Sequence, residues 1–265
     1  MKRRSIVVCI VLLAAAAAFL GYKYYLSVNL PINQAAEEDS EFHETIAPVR
    51  PSILQNVDKF TDKSTKTDID KFADKSQLAL VKELNTDSVG WIYIPDTNID
   101  YPIMQRGDND FYLHNGADGE PNNDYGCPFL DYRCDSSFAG FNSIVYGHNM
   151  IDRLMFADVT KYSDEEYLKE HDKGYLVLDD GVHTVNFFAY LSVPSTAAAY
   201  HTVFLTEQER SDYIDYIFTF AKFTHAYTAD DLKTTDGIHL LLLSTCSFEY
   251  DESRGVLLGF FTSEQ

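Results

Sequence analysis

Beyond residue 90, short runs rich in Val, Ile, Phe, Tyr and Leu follow one another, divided by Gly, Asp and Asn, and no repeating strand–helix–strand alternation links them. That pattern confines the fold. β-Branched and aromatic runs suit a pleated, half-buried surface, and the residues between them reverse the chain. The first two runs, 90–95 and 99–104, flank a turn at Asp96-Thr97-Asn98 and read as paired strands. Further strands are predicted over 128–131, 143–146, 175–178, 182–193, 238–244 and 256–262. Helical stretches interrupt them at 153–158, 164–171 and 207–223, the last with Thr206 placed as N-cap and Glu209 at the capping-box position. A shorter amphipathic helix carries Leu78, Leu80, Val81 and Leu84 and ends near Asn85. Strands dominate and helices are insertions, so the reading is a mainly β fold, a mostly antiparallel β-barrel decorated by helices.

The N-terminus has a different character. Lys2-Arg3-Arg4 precedes an apolar run of 17 residues from Ile6 to Tyr22, closed by Lys23. A spanning helix needs roughly 20 residues, and Tyr24, Tyr25 and Leu26 extend the run through the interface, where Tyr favours the headgroup depth and Lys23 can snorkel. The basic cluster predicts the N-terminus on the cytoplasmic side and the body outside. Residues 1–26 therefore read as a single-pass membrane anchor. The competing reading is a cleaved signal peptide using the small residues of 14–18, but Gly21-Tyr22-Lys23-Tyr24 is a poor cleavage site. Both readings export the body. Residues 27–75 are polar, contain Pro31, Pro48 and Pro51, and form a spacer. Within it Asp58-Lys59-Phe60-Thr61-Asp62-Lys63-Ser64 recurs as Asp70-Lys71-Phe72-Ala73-Asp74-Lys75-Ser76, two copies being too few for a solenoid. Residues 76–265 then make one globular domain.

Charge excludes one class of partner. The net charge is −20, and with residues 1–25 holding four basic groups and no acid, the rest sets 17 basic against 41 acidic residues. Such a polyanion repels phosphate backbones, so nucleic acid is not a partner. Of the four cysteines, Cys9 lies in the apolar run as a small hydrophobe. Cys127 and Cys134 are either two free thiols, the reading preferred here, or a disulfide of an oxidising exterior. No CxxC pair or His-rich spacing points to zinc.

Cys246 is different. The run Leu240-Leu241-Leu242-Leu243-Ser244-Thr245-Cys246 is a buried strand ending in a cysteine, and Arg254 follows eight residues later at the entrance to the next strand. Two antiparallel strands joined by that turn would bring the thiol and the guanidinium onto one patch. A neighbouring guanidinium favours the thiolate and can hold an oxyanion. An inert core cysteine and a surface ion pair of Arg254 with Asp251 or Glu252 are the plain alternatives. Among eight histidines, only His148, in Tyr146-Gly147-His148-Asn149, combines a Gly-containing loop with a strand end, where imidazole can exchange protons with a substrate.

Tyr146-Gly147-His148-Asn149, Leu243-Ser244-Thr245-Cys246 and Arg254 resemble the His, Cys and Arg signatures of sortases, the Gram-positive cell-surface cysteine transpeptidases. The segments 89–95, 99–103 and Asn109-Asp110-Phe111-Tyr112-Leu113 resemble the opening of class B sortases, and so does the helix inserted before the Cys strand. The resemblance covers about residues 76–262. It implies an eight-stranded sortase barrel, preceded by N-terminal helices, and a two-step acyl transfer. Cys246 would attack a backbone carbonyl in the C-terminal sorting signal of a secreted protein, giving a thioacyl enzyme. His148 would protonate the departing amine and then take a proton from the incoming one, an amine of a peptidoglycan precursor or a pilin. Arg254, with nearby backbone N–H groups, would stabilise the oxyanion. By the same resemblance Asn109, Leu113, Tyr146, Ser244 and Thr245 would line the peptide groove, although Leu113 and Tyr146 also suit plain core positions. The pattern requires no cofactor, and the acids are too scattered to assign the calcium pocket of class A relatives.

Two other readings stand beside this one. A cysteine peptidase would use the same residues with water as acceptor, and a non-catalytic surface protein would suit an anionic, stalked body. A cell-wall L,D-transpeptidase is rejected, because its pattern sets Ser-x-Gly before the Cys and Arg two residues after it, whereas here Arg254 lies eight residues away.

Overall fold

The structure, a computed structural model, describes residues 76–122, 125–246 and 253–262. The expected anchor at 1–26 and spacer at 27–75 lie outside the described residues. Among the described residues no helix is long and apolar enough to cross a membrane.

Helix α1 (Ser76–Leu84) leads into strands β1 (Ser88–Tyr93) and β2 (Asp100–Met104), which pair antiparallel around the Asp96 turn. The short helix α2 (Phe111–His114), β3 (Phe129–Leu130) and β4 (Asn142–Tyr146) follow. A 3-10 helix (Ala157–Ser163) and α3 (Glu165–Glu170) precede the hairpin of β5 (Lys173–Val177) and β6 (Val182–Pro194). A second 3-10 turn (Ala198–Tyr200), α4 (Glu207–Phe220), β7 (Phe223–Thr224) and α5 (Ala229–Lys233) lead to β8 (Ile238–Cys246) and β9 (Ser253–Thr262).

The strands run β5-β1-β2-β3-β4-β8-β9-β6, and the β5–β6 pairing closes this order into a ring of eight, with β7 added on β6 outside it. The expected eight-stranded barrel is therefore present, and it is mainly antiparallel. Two pairings are parallel, β2 with β3 and β4 with β8. A long β6 makes closure possible. Its first half pairs with β5, its second half with β9, and an irregularity between Phe187 and Ala189 marks the change.

Side-chain alternation along the β8 leucine run divides the core. Leu241 and Leu243 face inward with Leu257, Val185 and Phe187, while Leu240 and Leu242 face outward onto a second layer with Ile214 and Ile217 of α4. This is why the run is continuously apolar: both of its faces are buried. The expected capping box is present, Thr206 Oγ1 accepting from Glu209 N at 3.2 Å and Glu209 Oε2 from Thr206 N at 3.1 Å.

Three expectations need correction. Of the stretch 153–158, residues 153–156 are not helical. Arg153 and Met155 have φ of 72° and 53°, left-handed values that close a loop through the Asn149–Met155 bridge, and the 3-10 helix begins only at Ala157. Helix α4 stops at Phe220 rather than residue 223, because Ala221 is extended and Phe223 pairs with Tyr190 as a strand. Strand 128–131 shrinks to Phe129–Leu130. Cys127 and Cys134 are free thiols, their sulfurs set against Pro102 O at 3.7 Å and Asn142 O at 3.6 Å.

Candidate active site

The site forms where β4 and β8 end together. Their parallel pairing sets Tyr146 opposite Ser244, so the two chains leave the sheet in the same direction, one toward His148 and the other toward Cys246. Antiparallel pairing of β8 with β9 sets Cys246 directly opposite Arg254. Directly opposed residues share a face, with Cβ atoms about 5 Å apart. Alternation places that face. Even-numbered residues of β8 belong to the outer layer under α4, so Ser244 and Cys246 lie on it, and Arg254 shares it with Val256 and Leu258. Tyr146 also packs against this layer. Cys246, His148 and Arg254 are all half-buried, sheltered yet open to solvent.

The His148 loop is tightly held. Gly147 N donates to Ser244 O at 3.1 Å, and Phe156 N donates to His148 O at 2.8 Å. A Cβ on Gly147 would lie 2.6 Å from Phe156 Cγ, so the buried ring occupies the space that any other residue would need. His148 Nε2 lies 2.9 Å from Leu113 O. A carbonyl only accepts, so this contact requires the proton on Nε2 and leaves Nδ1 of the neutral ring as its lone-pair nitrogen. That fixes which nitrogen can take up a proton.

The expected groove residues gather at this end of the barrel, with unequal exposure. Tyr146 is half-buried, stacks on Tyr200 with centroids 6.0 Å apart, and donates to Asp131 Oδ2 at 3.0 Å. Burial and the adjacent Asp131 charge push the Tyr146 phenol above its ordinary range, so it stays a neutral donor. Leu113 packs against the small core cluster that holds Met104, Tyr112 and Phe129, as Tyr146 does. Asn109 accepts from Tyr132 N at 3.0 Å, in the loop that carries Asp131. Ser244 and Thr245 are only 1% and 2% exposed. Their hydroxyls are engaged internally, Ser244 Oγ with Tyr200 OH at 2.9 Å and Thr245 Oγ1 with Gly147 O at 2.8 Å.

Several residues here carried no sequence signal that singled them out. Asp131 is fully buried and takes two bonds from the Arg133 guanidinium, at 2.9 and 2.6 Å, besides the Tyr146 hydroxyl. Burial raises its pKa, but the Arg133 and Tyr146 hydrogen bonds outweigh that and hold it below the usual carboxylate range. Tyr200 sits in an Ala-Ala-Tyr turn with nothing to mark it. Among the described residues no group of three or more His, Cys, Asp or Glu side chains could hold a metal ion.

Comparison with known proteins bears on this geometry. No family model matches the chain. Sortase B of Listeria monocytogenes is 37% identical over 206 residues, which cover 77% of this chain and 80% of that one. The chain belongs to the sortase B family. It is thus a sortase, a cysteine transpeptidase. Sortase B from Bacillus anthracis, solved in complex with AAEK1, superposes with a TM-score of 0.62 at 30% identity, covering 71% of this chain and 85% of that one. The Staphylococcus aureus sortase B–substrate complex shares the fold with a TM-score of 0.69 at 20% identity, covering 86% of this chain and all (100%) of that one. The β8 end and the His148 loop thus belong to a sortase barrel, with helix α4 packed on its outer layer.

Proposed function

We propose that this sortase cleaves a C-terminal sorting signal of secreted proteins with Cys246 as nucleophile, His148 as proton carrier and Arg254 as oxyanion partner. The observation that carries the reading is the pair of registers: antiparallel β8–β9 sets Arg254 opposite Cys246, and parallel β4–β8 brings the end of β4, two residues before His148, to Ser244, two residues before Cys246. The Cys246 thiolate attacks the scissile carbonyl carbon, and the negative charge that develops on its oxygen is met by the cross-strand guanidinium. As the C–N bond breaks, the departing amine takes a proton from imidazolium, leaving a thioester on Cys246. The acceptor amine then attacks that thioester, its proton passes to His148, and the thiolate leaves. The nitrogen left free by the Leu113 contact, Nδ1, is the one that cycles.

The peptide occupies the outer-face groove beside Tyr146, Leu113 and Asn109. The Staphylococcus aureus relative was solved as a complex with substrate, which supports a peptide site of this kind. With a hydroxyl turned inward, Thr245 acts behind the groove rather than on the peptide. The acceptor is an amine of a peptidoglycan precursor or a pilin. Residues 1–26 anchor the enzyme as a single-pass membrane protein, N-terminus cytoplasmic, and residues 27–75 carry the catalytic domain, 76–265, at the outer face.

The decisive experiment is a screen of five-residue signal peptides with mass-spectrometric readout of products, with and without an added amine. A transpeptidase gives the amine adduct, and free acid alone means hydrolysis. Cys246→Ala abolishes both products, and retained activity sinks the mechanism. His148→Ala and Arg254→Ala each lose about a hundredfold or more in rate. A loss below about threefold removes that residue from its role.

A further inference from the structure

The main-chain ladder between β4 and β8 ends at the Tyr146–Ser244 pair, one rung short of the residues that matter. A parallel ladder advances two residues at a time along each strand. After Gly147 N to Ser244 O, its next rung would take Gly147 O and Cys246 O as acceptors, and would set His148 opposite Cys246. Both carbonyls receive a side-chain donor. Thr245 Oγ1 donates to Gly147 O at 2.8 Å, and Asn149 Nδ2 donates to Cys246 O at 2.8 Å. Side chains thus carry the register one rung beyond the last main-chain pair. The His148 main chain meanwhile turns away, its carbonyl taken by Phe156 N and its loop closed by the Asn149–Met155 bridge.

We propose that Asn149 is a positioning residue for the transpeptidation. Its carboxamide ties the main chain at Cys246 to the loop that bears His148, so that thiol and imidazole keep one spacing through both acyl-transfer steps. Thr245 closes the other half of the same rung. The inference rests on the reading of Cys246 and His148 as a working pair. Its logic is geometric: Cys246 is the last residue of β8, where the sheet alone no longer fixes the β4 side, and reacting groups misplaced by an ångström lose rate steeply.

The test needs no identified substrate. The full chain is treated with iodoacetamide at pH 7.5, and the rate of alkylation at Cys246 is followed by peptide mass mapping. His148→Ala slows it about tenfold, because the base beside the thiol is lost. Asn149→Leu, equal in size and without a donor, slows it about fivefold. The double variant is no slower than His148→Ala alone, since both changes break one pairing. Asn149→Gln, which keeps the carboxamide, restores the rate to within about twofold. Asn149→Ala takes the place of the leucine variant if that one does not fold. A leucine or alanine variant alkylated at the wild-type rate, or fully additive with His148→Ala, overturns the positioning role while leaving the catalytic pair intact. Equal slowing in the glutamine and leucine variants overturns the role of the donor. If His148→Ala itself leaves Cys246 alkylation unchanged, the catalytic pairing falls, and the inference falls with it.

Discussion

Replacing Gly147 by alanine places a methyl group where the Phe156 ring already lies. The added Cβ would sit 2.6, 2.8 and 3.0 Å from Phe156 Cγ, Cδ2 and Cδ1. Carbon atoms rest about 3.5–4.0 Å apart, so the ring must retreat by about 1 Å. It has nowhere to go, being fully buried among the inner-core residues. Overpacking of this kind costs about 1–3 kcal/mol, and at about 2 kcal/mol a domain of this size melts roughly 4–8 °C lower. The same displacement reaches the proposed proton carrier, because Phe156 N holds His148 O. Activity should therefore fall about tenfold or more in protein that is still folded. Circular dichroism melts and peptide turnover at a temperature well below the transition separate the two effects. Phe156→Leu trims the ring that the methyl strikes, so the double variant should be more stable than the two single losses predict, by at least about 0.5 kcal/mol. An alanine variant that melts within about 1 °C of wild type and turns over normally would refute the steric argument.

Asp131→Asn should destabilise the domain by about 1–3 kcal/mol, because an amide beside the Arg133 guanidinium adds donors where an acceptor is needed. The native Asp131 carboxyl lies below its ordinary value. Its contribution is therefore present above about pH 4 and lost as the pH falls through the native value, so urea melts between about pH 2 and 6 should show an acid-side decline that is shallower in the asparagine variant. Burial pushes the Cys134 thiol up to about 11 and Cys127 is buried. Native protein at pH 8 should accordingly be alkylated at Cys246 at least about tenfold faster than at either; comparable labelling of Cys134 would contradict the upward shift of its thiol. Thr206→Ala removes the N-cap of α4 and should cost about 1 kcal/mol, read as a lower urea midpoint with an unchanged slope.

The parts of the fold legible in the sequence are those set by neighbours along the chain. The β1–β2 and β5–β6 hairpins follow from alternation and turn residues, α4 from its capping box, and β8 from a leucine run long enough to be buried on both faces. The Cys246–Arg254 pair belongs to this class, since antiparallel strands joined by a short connection almost dictate their own register. Local pattern misled at 153–156, where the short apolar run Leu154-Met155-Phe156 does not by itself separate helix from loop. Met155 and Phe156 are instead buried by a loop whose positive φ values no periodicity reveals. Nor could Asp131 or Tyr200 be singled out as part of this site, because Asp131 meets Tyr146, and Tyr200 meets Ser244, only through tertiary contact.

His148 marks the boundary between the two kinds of information. Its link to Cys246 depends on β4 pairing in parallel with β8 across nearly a hundred residues, and periodicity does not report which strands become neighbours. Residue pattern alone could do no more than prefer a histidine at a strand end, and it was the family resemblance that implied a partnership of His148 with Cys246; the barrel places the end of β4 beside β8 through the Tyr146–Ser244 pair. The same rung accounts for how the two strands stay together at their ends. Where the main-chain ladder stops, Thr245 and Asn149 continue it with side chains. These residues flank Cys246 and His148 in sequence because that is where one more rung requires donors. On the proposed roles of Cys246 and His148, adjacency in the chain at 148–149 and 245–246 follows from the sheet geometry, the polar neighbours serving to extend the strands that present the pair.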